Sequence, residues 1–148
     1  ALALGMAVNS LPAQAAADGQ SAEARIELRS AHPFAPTVAR IGQALEGAGM
    51  TIFARIDHRA AARQVGLDMP PATVLIYGNP KGGTPLMQAA PALALDLPLR
   101  VLVHEDGAGR TFVVFHPAQA LTRPAGLPDG KAGPLTRGEA LIRQAIAP

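Results

Sequence analysis

The chain has 148 residues, a length that favours one domain, and 49% of them are hydrophobic, enough to build a core. Lys and Arg number 13 against 11 Asp and Glu, and aromatic residues make up only 3%. With neither a basic run nor aromatic stacking platforms, we expect no nucleic-acid binding. The absence of cysteine excludes disulfides, thiol chemistry and Cys-ligated metal centres.

The first 17 residues, ALALGMAVNSLPAQAAA, carry no charge. They end in the small-x-small pattern Ala13-Gln14-Ala15, after which a signal peptidase cuts. The apolar run is too short to span a bilayer and is interrupted by Asn9, Ser10 and Pro12. We therefore predict that residues 1–17 are the remnant of a signal peptide. The protein would then be periplasmic or secreted, with no transmembrane span. A short apolar helix packed on the domain is the alternative.

The first half of the remaining chain alternates strand and helix patterns. Residues 25–29 alternate with period two, as in a half-buried strand. Pro36 suits the first turn of a helix that ends near Gly49. A second strand is predicted over 50–56, and Asp57 is placed to cap a short helix over 58–65.

The second half begins with an apolar stretch over 73–77, typical of a strand buried on both faces. Thr84 followed by Pro85 predicts the cap and first position of a helix. Residues 99–104 and 110–115 flank an Asp-Gly turn and predict a hairpin. A capping box at 136–139 starts the last helix.

The element order is therefore β-α-β-α-β-α-β-β-α. It predicts an α+β single domain with a mixed or antiparallel sheet of about five strands and helices packed on it. The domain proper covers 22–121. Residues 122–148 comprise a proline- and glycine-rich segment and a C-terminal helix that packs on the domain.

Several short motifs resemble a bacterial family known as domain of unknown function 302. They are Phe53-Ala54-Arg55-Ile56-Asp57-His58, Ala62, Gly66-Leu67, Tyr77-Gly78-Asn79-Pro80, Thr84-Pro85-Leu86-Met87-Gln88 and Asp96-Leu97-Pro98-Leu99. The likeness covers residues 28–121. It implies a compact α+β fold and a homodimer, and it implies no established catalysis. The hairpin departs from the family pattern, with His104 and Phe115 where relatives often carry Trp or Tyr.

Residues 78–84, Gly-Asn-Pro-Lys-Gly-Gly-Thr, form the best candidate for a ligand site. Glycines let backbone N–H groups converge, Lys81 adds a positive charge, and a helix start favours anions. The order of a P-loop is absent. We predict capture of a small anion by Asn79, Lys81, Gly82, Gly83 and Thr84. The alternative, favoured on sequence grounds, is a tight strand-to-helix turn with no ligand.

Asp57 and His58 form a carboxylate–imidazole pair at a helix start, and His58 is a candidate general base for a hydrolase or isomerase. The favoured alternative is structural: Asp57 caps the helix, and neighbouring helical side chains do not face each other.

His104 and His116 lie on the predicted hairpin strands and are a weak candidate pair for binding a metal. Two solvent-facing strand residues are the favoured interpretation. No motif for a cofactor is present, and none is expected.

The sequence thus favours an exported, non-enzymatic domain that binds a small anionic ligand or a partner protein. An enzyme acting through His58 and a metal-handling protein acting through His104 and His116 remain the alternatives.

Overall fold

The computed structural model describes residues 25–148. The predicted signal peptide lies outside the described residues. Within them, the strands are β1 (Ile26–Arg29), β2 (Thr51–Asp57), β3 (Ala72–Gly78), β4 (Leu99–Glu105) and β5 (Thr111–Phe115). The helices are α1 (Phe34–Gly47), α2 (His58–Gln64), α3 (Pro80–Ala89), α4 (Ala118–Thr122) and α5 (Gly133–Ile146). Short 3₁₀ turns occupy Pro91–Leu95 and Asp129–Lys131.

The five strands form one antiparallel sheet in the order β1-β5-β4-β3-β2. This confirms the α+β class and the predicted element order, apart from the additional short helix α4. The β4–β5 hairpin closes as its sequence predicts. Asp106 Oδ1 accepts hydrogen bonds from the amides of Ala108 and Arg110, both at 2.9 Å.

The main core lies between one face of the sheet and the pair of helices α1 and α5. Side chains that alternate along β3, β4 and β5 are buried in it, among them Leu75, Val101 and Val113. The intervening residues on β3, such as Val74 and Ile76, are only half-buried. The prediction that this strand is buried on both faces is therefore wrong, because helices cover only one of them.

The C-terminal helix packs on the domain through α1. Ile142 is fully buried in the core, and the Arg40 guanidinium donates a hydrogen bond to the Ala145 carbonyl at 2.9 Å.

A smaller cluster of buried apolar residues joins α3, the first 3₁₀ turn, α4 and the start of α5. In the part of the chain from 25 to 148, no helix is both long and apolar enough to cross a bilayer.

Candidate ligand pockets

The predicted anion loop is the first turn of helix α3. The helix begins at Pro80, and Asn79 caps it by accepting a hydrogen bond from the Lys81 amide on Oδ1 at 3.1 Å. The amides of Gly82 and Gly83 donate to the Asn79 carbonyl at 3.0 and 2.9 Å. All three amides that were expected to face an anion are therefore occupied by oxygens of Asn79.

The helix start was placed five residues too late in the sequence interpretation, because Asn79-Pro80 and Thr84-Pro85 are both cap-and-proline pairs. The earlier pair is used, and Pro85 lies inside the helix. Pro85 has no N–H to donate to a helical hydrogen bond, which is a local cost. This cost does not prevent the helix from continuing through Pro85.

A cavity of about 290 Å³ opens beside this helix, and we call it the α3 pocket. Three of the predicted site residues border it, Asn79, Gly83 and Thr84, whereas Lys81 and Gly82 do not. The rest of its wall is mainly apolar and includes Met50, Phe53, Met87, Leu97, Leu99 and Leu135. None of the residues lining the pocket is charged. The geometry suits an apolar molecule better than an anion held by Lys81.

Asp57 and His58 lie at the far end of the sheet from the α3 pocket. Asp57 pairs with Thr73 in the β2–β3 register, whereas Thr51 pairs with Gly78. Five residues of strand separate Thr73 from Gly78, which is roughly 17 Å. His58 and the loop at 79–84 therefore lie at opposite ends of β3 and do not form one site.

Asp57 has the predicted capping role, since its Oδ1 accepts a hydrogen bond from the Ala60 amide at 2.9 Å. His58 is exposed and does not border the α3 pocket. A general-base role for His58 stays a prediction.

His104 and His116 do not approach each other. His104 pairs with Phe112 in the β4–β5 register and stacks on its ring, with centroids 5.7 Å apart. His116 follows the end of β5, four residues further along that strand than Phe112 and about 14 Å away. Among residues 25–148, no group of three or more metal-ligating side chains could hold an ion. The register therefore does not support His104 and His116 as a metal-binding pair, which was the less favoured interpretation of these residues.

A second cavity, of about 360 Å³, lies where β3 and β4 meet α5, and we call it the Tyr77 cavity. Tyr77 is its most buried polar residue, with 2% of its surface exposed. Burial, and secondarily the nearby Glu139 carboxylate, raises the pKa of Tyr77 above its ordinary value, so the phenol stays neutral. Glu139 is itself held in place, because its Oε1 accepts a hydrogen bond from the Ala118 amide at 2.6 Å.

Other residues lining this cavity are polar or apolar in nearly equal number. The polar ones are Asp96, Arg100 and His116, and the apolar ones are Leu95, Leu99, Leu121 and Leu135. Of the residues lining this cavity, only His116 was predicted from the sequence as a site residue, in the candidate metal pair with His104. The one available signal was the single tyrosine of the chain, placed in an otherwise aliphatic strand.

Comparison with curated proteins finds relatives that are much longer than this chain. It is 41% identical over 91 residues to a protein of Brucella suis biovar 1 named "Fluoride-specific ion channel FluC 1". That alignment covers 62% of this chain and 36% of the relative. A protein of the same name from Brucella abortus biovar 1 matches at the same identity, with 34% of its length covered. The chain thus spans about a third of the length of these relatives.

Comparison with solved structures supports the fold. The chain matches the crystal structure of an uncharacterized conserved DUF302 protein from Bacillus stearothermophilus with a TM-score of 0.70. The match covers 82% of this chain and 94% of the other, at 15% sequence identity. The family model for "Domain of unknown function DUF302" matches residues 26–146, a range that includes α5 and the proline-rich segment before it. The chain therefore belongs to the DUF302 family.

Proposed function

We propose that this domain binds a small, predominantly apolar molecule in the α3 pocket. The observation that supports the proposal is the lining of that pocket, which is apolar over most of its surface and uncharged throughout. Ligand pockets typically combine such a lining with a few polar groups that orient the ligand. Asn79 and Thr84 border the pocket and are the candidates for that role.

The size of the pocket agrees with a small ligand. Its volume of about 290 Å³ lies at the lower end of the range found for pockets that hold small molecules. Removing an alkyl chain from water contributes about 0.8 kcal/mol for each buried CH₂ group. A short aliphatic ligand would therefore gain most of its affinity from contact with Met87, Leu97 and Leu135.

Isothermal titration with 1-octanol, octanoate and inorganic phosphate tests this proposal against the anion hypothesis. We expect octanol to bind at least as tightly as octanoate, and phosphate to give no heat. The variant Gly83→Phe should reduce octanol binding, because Gly83 borders the pocket and a Cβ at this position meets only Leu97 Cδ1, at 3.7 Å, so that the ring can enter the pocket.

Gly47→Phe provides the matched control. Gly47 is also a helical glycine, and a Cβ at this position meets nothing within 4 Å. Octanol binding that survives Gly83→Phe unchanged, or is equally reduced in both variants, would reject the pocket as the site. Phosphate binding that is lost in Lys81→Ala would instead restore the anion hypothesis.

The resemblance to proteins named as fluoride-specific ion channels motivates one further titration, with sodium fluoride. A role connected with fluoride is a proposal for this chain, since it spans only about a third of those relatives. Heat on adding fluoride that is absent with sodium chloride would support it.

Self-association is proposed on the basis of an exposed apolar region at one edge of the sheet. Strand β2 is an edge strand, and the adjoining residues Phe53, Val65 and Leu67 are 51%, 73% and 66% exposed. Free strand edges and exposed apolar patches are typical of interaction surfaces. A homodimer would cover this region, and a partner protein bound there is the alternative.

Light scattering on the purified protein tests this. We expect a dimer that Val65→Lys or Leu67→Lys converts to a monomer, whereas Leu95→Lys, at another exposed leucine, leaves it intact. A monomeric wild-type protein would contradict the proposal.

Export is also proposed, on the basis of the uncharged segment 1–17. If this is correct, fractionation of expressing bacteria would place the protein in the periplasm or the medium.

A further inference from the structure

We propose that the Tyr77 cavity is a second binding site, which takes an apolar α-amino acid as a zwitterion. This goes beyond the function proposed for the α3 pocket, since the ligand class and the polar groups are different. The two cavities share only the apolar side chains of Leu99 and Leu135.

The first reason is the unpartnered hydroxyl group of Tyr77. The residue is 2% exposed, yet within the described residues its hydroxyl has no hydrogen-bond partner. Its ring packs on α5, close against the backbone of Gly138. Its oxygen is not one of the fully enclosed polar atoms that lack a partner, so it is accessible from the cavity, where a ligand could accept its hydrogen bond. Burial raises the pKa of Tyr77 and keeps the phenol a hydrogen-bond donor at neutral pH.

The second reason is that charges of both signs surround the cavity. Arg100 contributes a positive charge, and Asp96 and Glu139 contribute negative charges. Within residues 25–148, the side chains of Arg100 and Asp96 make no ion pair or hydrogen bond with another residue. The guanidinium group suits a ligand carboxylate, and the carboxylates suit a ligand ammonium group. A molecule with one charge of each sign satisfies both.

The third reason is the apolar part of the lining. Four leucines border the cavity, and Leu95 is 87% exposed at its rim. A bound aliphatic or aromatic side chain would remove these surfaces from water. A volume of about 360 Å³ is within the range of small-ligand pockets. The ligand class that combines an ammonium, a carboxylate and an apolar body is an apolar α-amino acid.

Titration of the full chain with L-leucine and L-phenylalanine tests the proposal. The protein has one Tyr and no Trp, so its tyrosine fluorescence reports on Tyr77 alone. We expect binding of at least one of the two amino acids below millimolar concentration, with a change in that fluorescence. The absence of binding by both at millimolar concentration would overturn the proposal.

Ligand analogues and variants, followed by calorimetry, test the role of each group. Tyr77→Phe should weaken amino-acid binding by about five- to tenfold, the value of one hydrogen bond, while circular dichroism reports an intact fold. Arg100→Gln should weaken binding of leucine and of 4-methylpentanoate, which lacks the ammonium group. Asp96→Asn should weaken binding of leucine and of 3-methylbutylamine, which lacks the carboxylate.

Arg137→Gln is the matched control, because Arg137 is an exposed arginine of α5 that does not line the cavity. It should leave leucine binding unchanged. Equal affinity for leucine and both analogues would overturn the zwitterion assignment. Unchanged leucine binding in a folded Tyr77→Phe variant would overturn the placement of the site at Tyr77.

Discussion

Replacement of Gly138 by alanine tests how tightly α5 packs on the sheet. Gly138 is buried in the middle of α5, and a Cβ built on it would lie 2.7 Å from both Cε2 and Oη of Tyr77, and 3.1 Å from Cζ. The Tyr77 ring is 2% exposed and belongs to the main core, so the open space beside it is the Tyr77 cavity that it lines. Because protein interiors are packed at crystal-like density, the Tyr77 ring, α5 or β3 must shift to accept the methyl group.

Two opposing effects set the magnitude. Alanine is favoured over glycine in a helix by about 1 kcal/mol. Overpacking of a well-filled core costs typically about 1–3 kcal/mol, and contacts as close as these place Gly138→Ala toward the upper end. We therefore expect Gly138→Ala to lower the free energy of unfolding by about 1–2 kcal/mol. In a domain of this size, that corresponds to a fall in Tm of about 3–8 °C.

Urea denaturation followed by far-ultraviolet circular dichroism measures the change. Gly47→Ala is the matched control, because Gly47 ends helix α1 and its Cβ would meet nothing within 4 Å. The control should be neutral or stabilising by up to about 1 kcal/mol. A Gly138→Ala variant at least as stable as wild type would refute the reasoning, since the clash would then cost no more than the propensity gain of about 1 kcal/mol.

Three other predictions address single features of the structure. Thr111 has a buried hydroxyl without a hydrogen-bond partner among the described residues, so Thr111→Val should be neutral or stabilise the fold by about 1 kcal/mol in urea denaturation. A clear loss of stability would indicate a hidden partner. Asn79→Ala removes the cap of α3 and should cost about 0.5–2 kcal/mol, whereas Thr84→Ala, at the position first expected to be the cap, should cost less. The pKa of Tyr77 is raised in the folded state, so above pH 10 the unfolded chain loses this proton while the folded protein keeps it. Below pH 10, the neutral phenol of Tyr77 makes its full contribution to the free energy of unfolding. Above pH 10, this free energy should fall by about 1.4 kcal/mol per pH unit relative to that of Tyr77→Phe. Parallel pH profiles of the two proteins would contradict this assignment.

Local signals predicted most of the elements correctly. Asp57 caps α2 as expected, because a cap depends on a side chain and an amide only three residues away. The turn at Asp106 closes the hairpin for the same reason. The motifs that resemble the family were also confirmed, with a match over residues 26–146.

The errors arose where one local signal competed with another or with a distant partner. Asn79-Pro80 and Thr84-Pro85 are equivalent as helix starts on sequence grounds. The helix begins at the earlier pair, and its first turn occupies the amides on which the predicted anion site depended. Glu139 was expected in a capping box, but its carboxylate instead accepts the amide of Ala118, 21 residues earlier. No rule based on short spacing could predict that contact.

By itself, the sequence determined the alternation of strands and helices, the hairpin and the family, because each depends on residues close together in the chain. Only the tertiary structure decided which residues meet. The antiparallel register places His104 and His116 about 14 Å apart along the strands and sets His58 at the opposite end of β3 from Asn79. The packing of α5 on β3 and β4 brings Tyr77, Arg100 and Glu139 to one cavity. These residues are far apart in sequence, and their meeting depends on sheet order and helix packing, which local patterns do not encode.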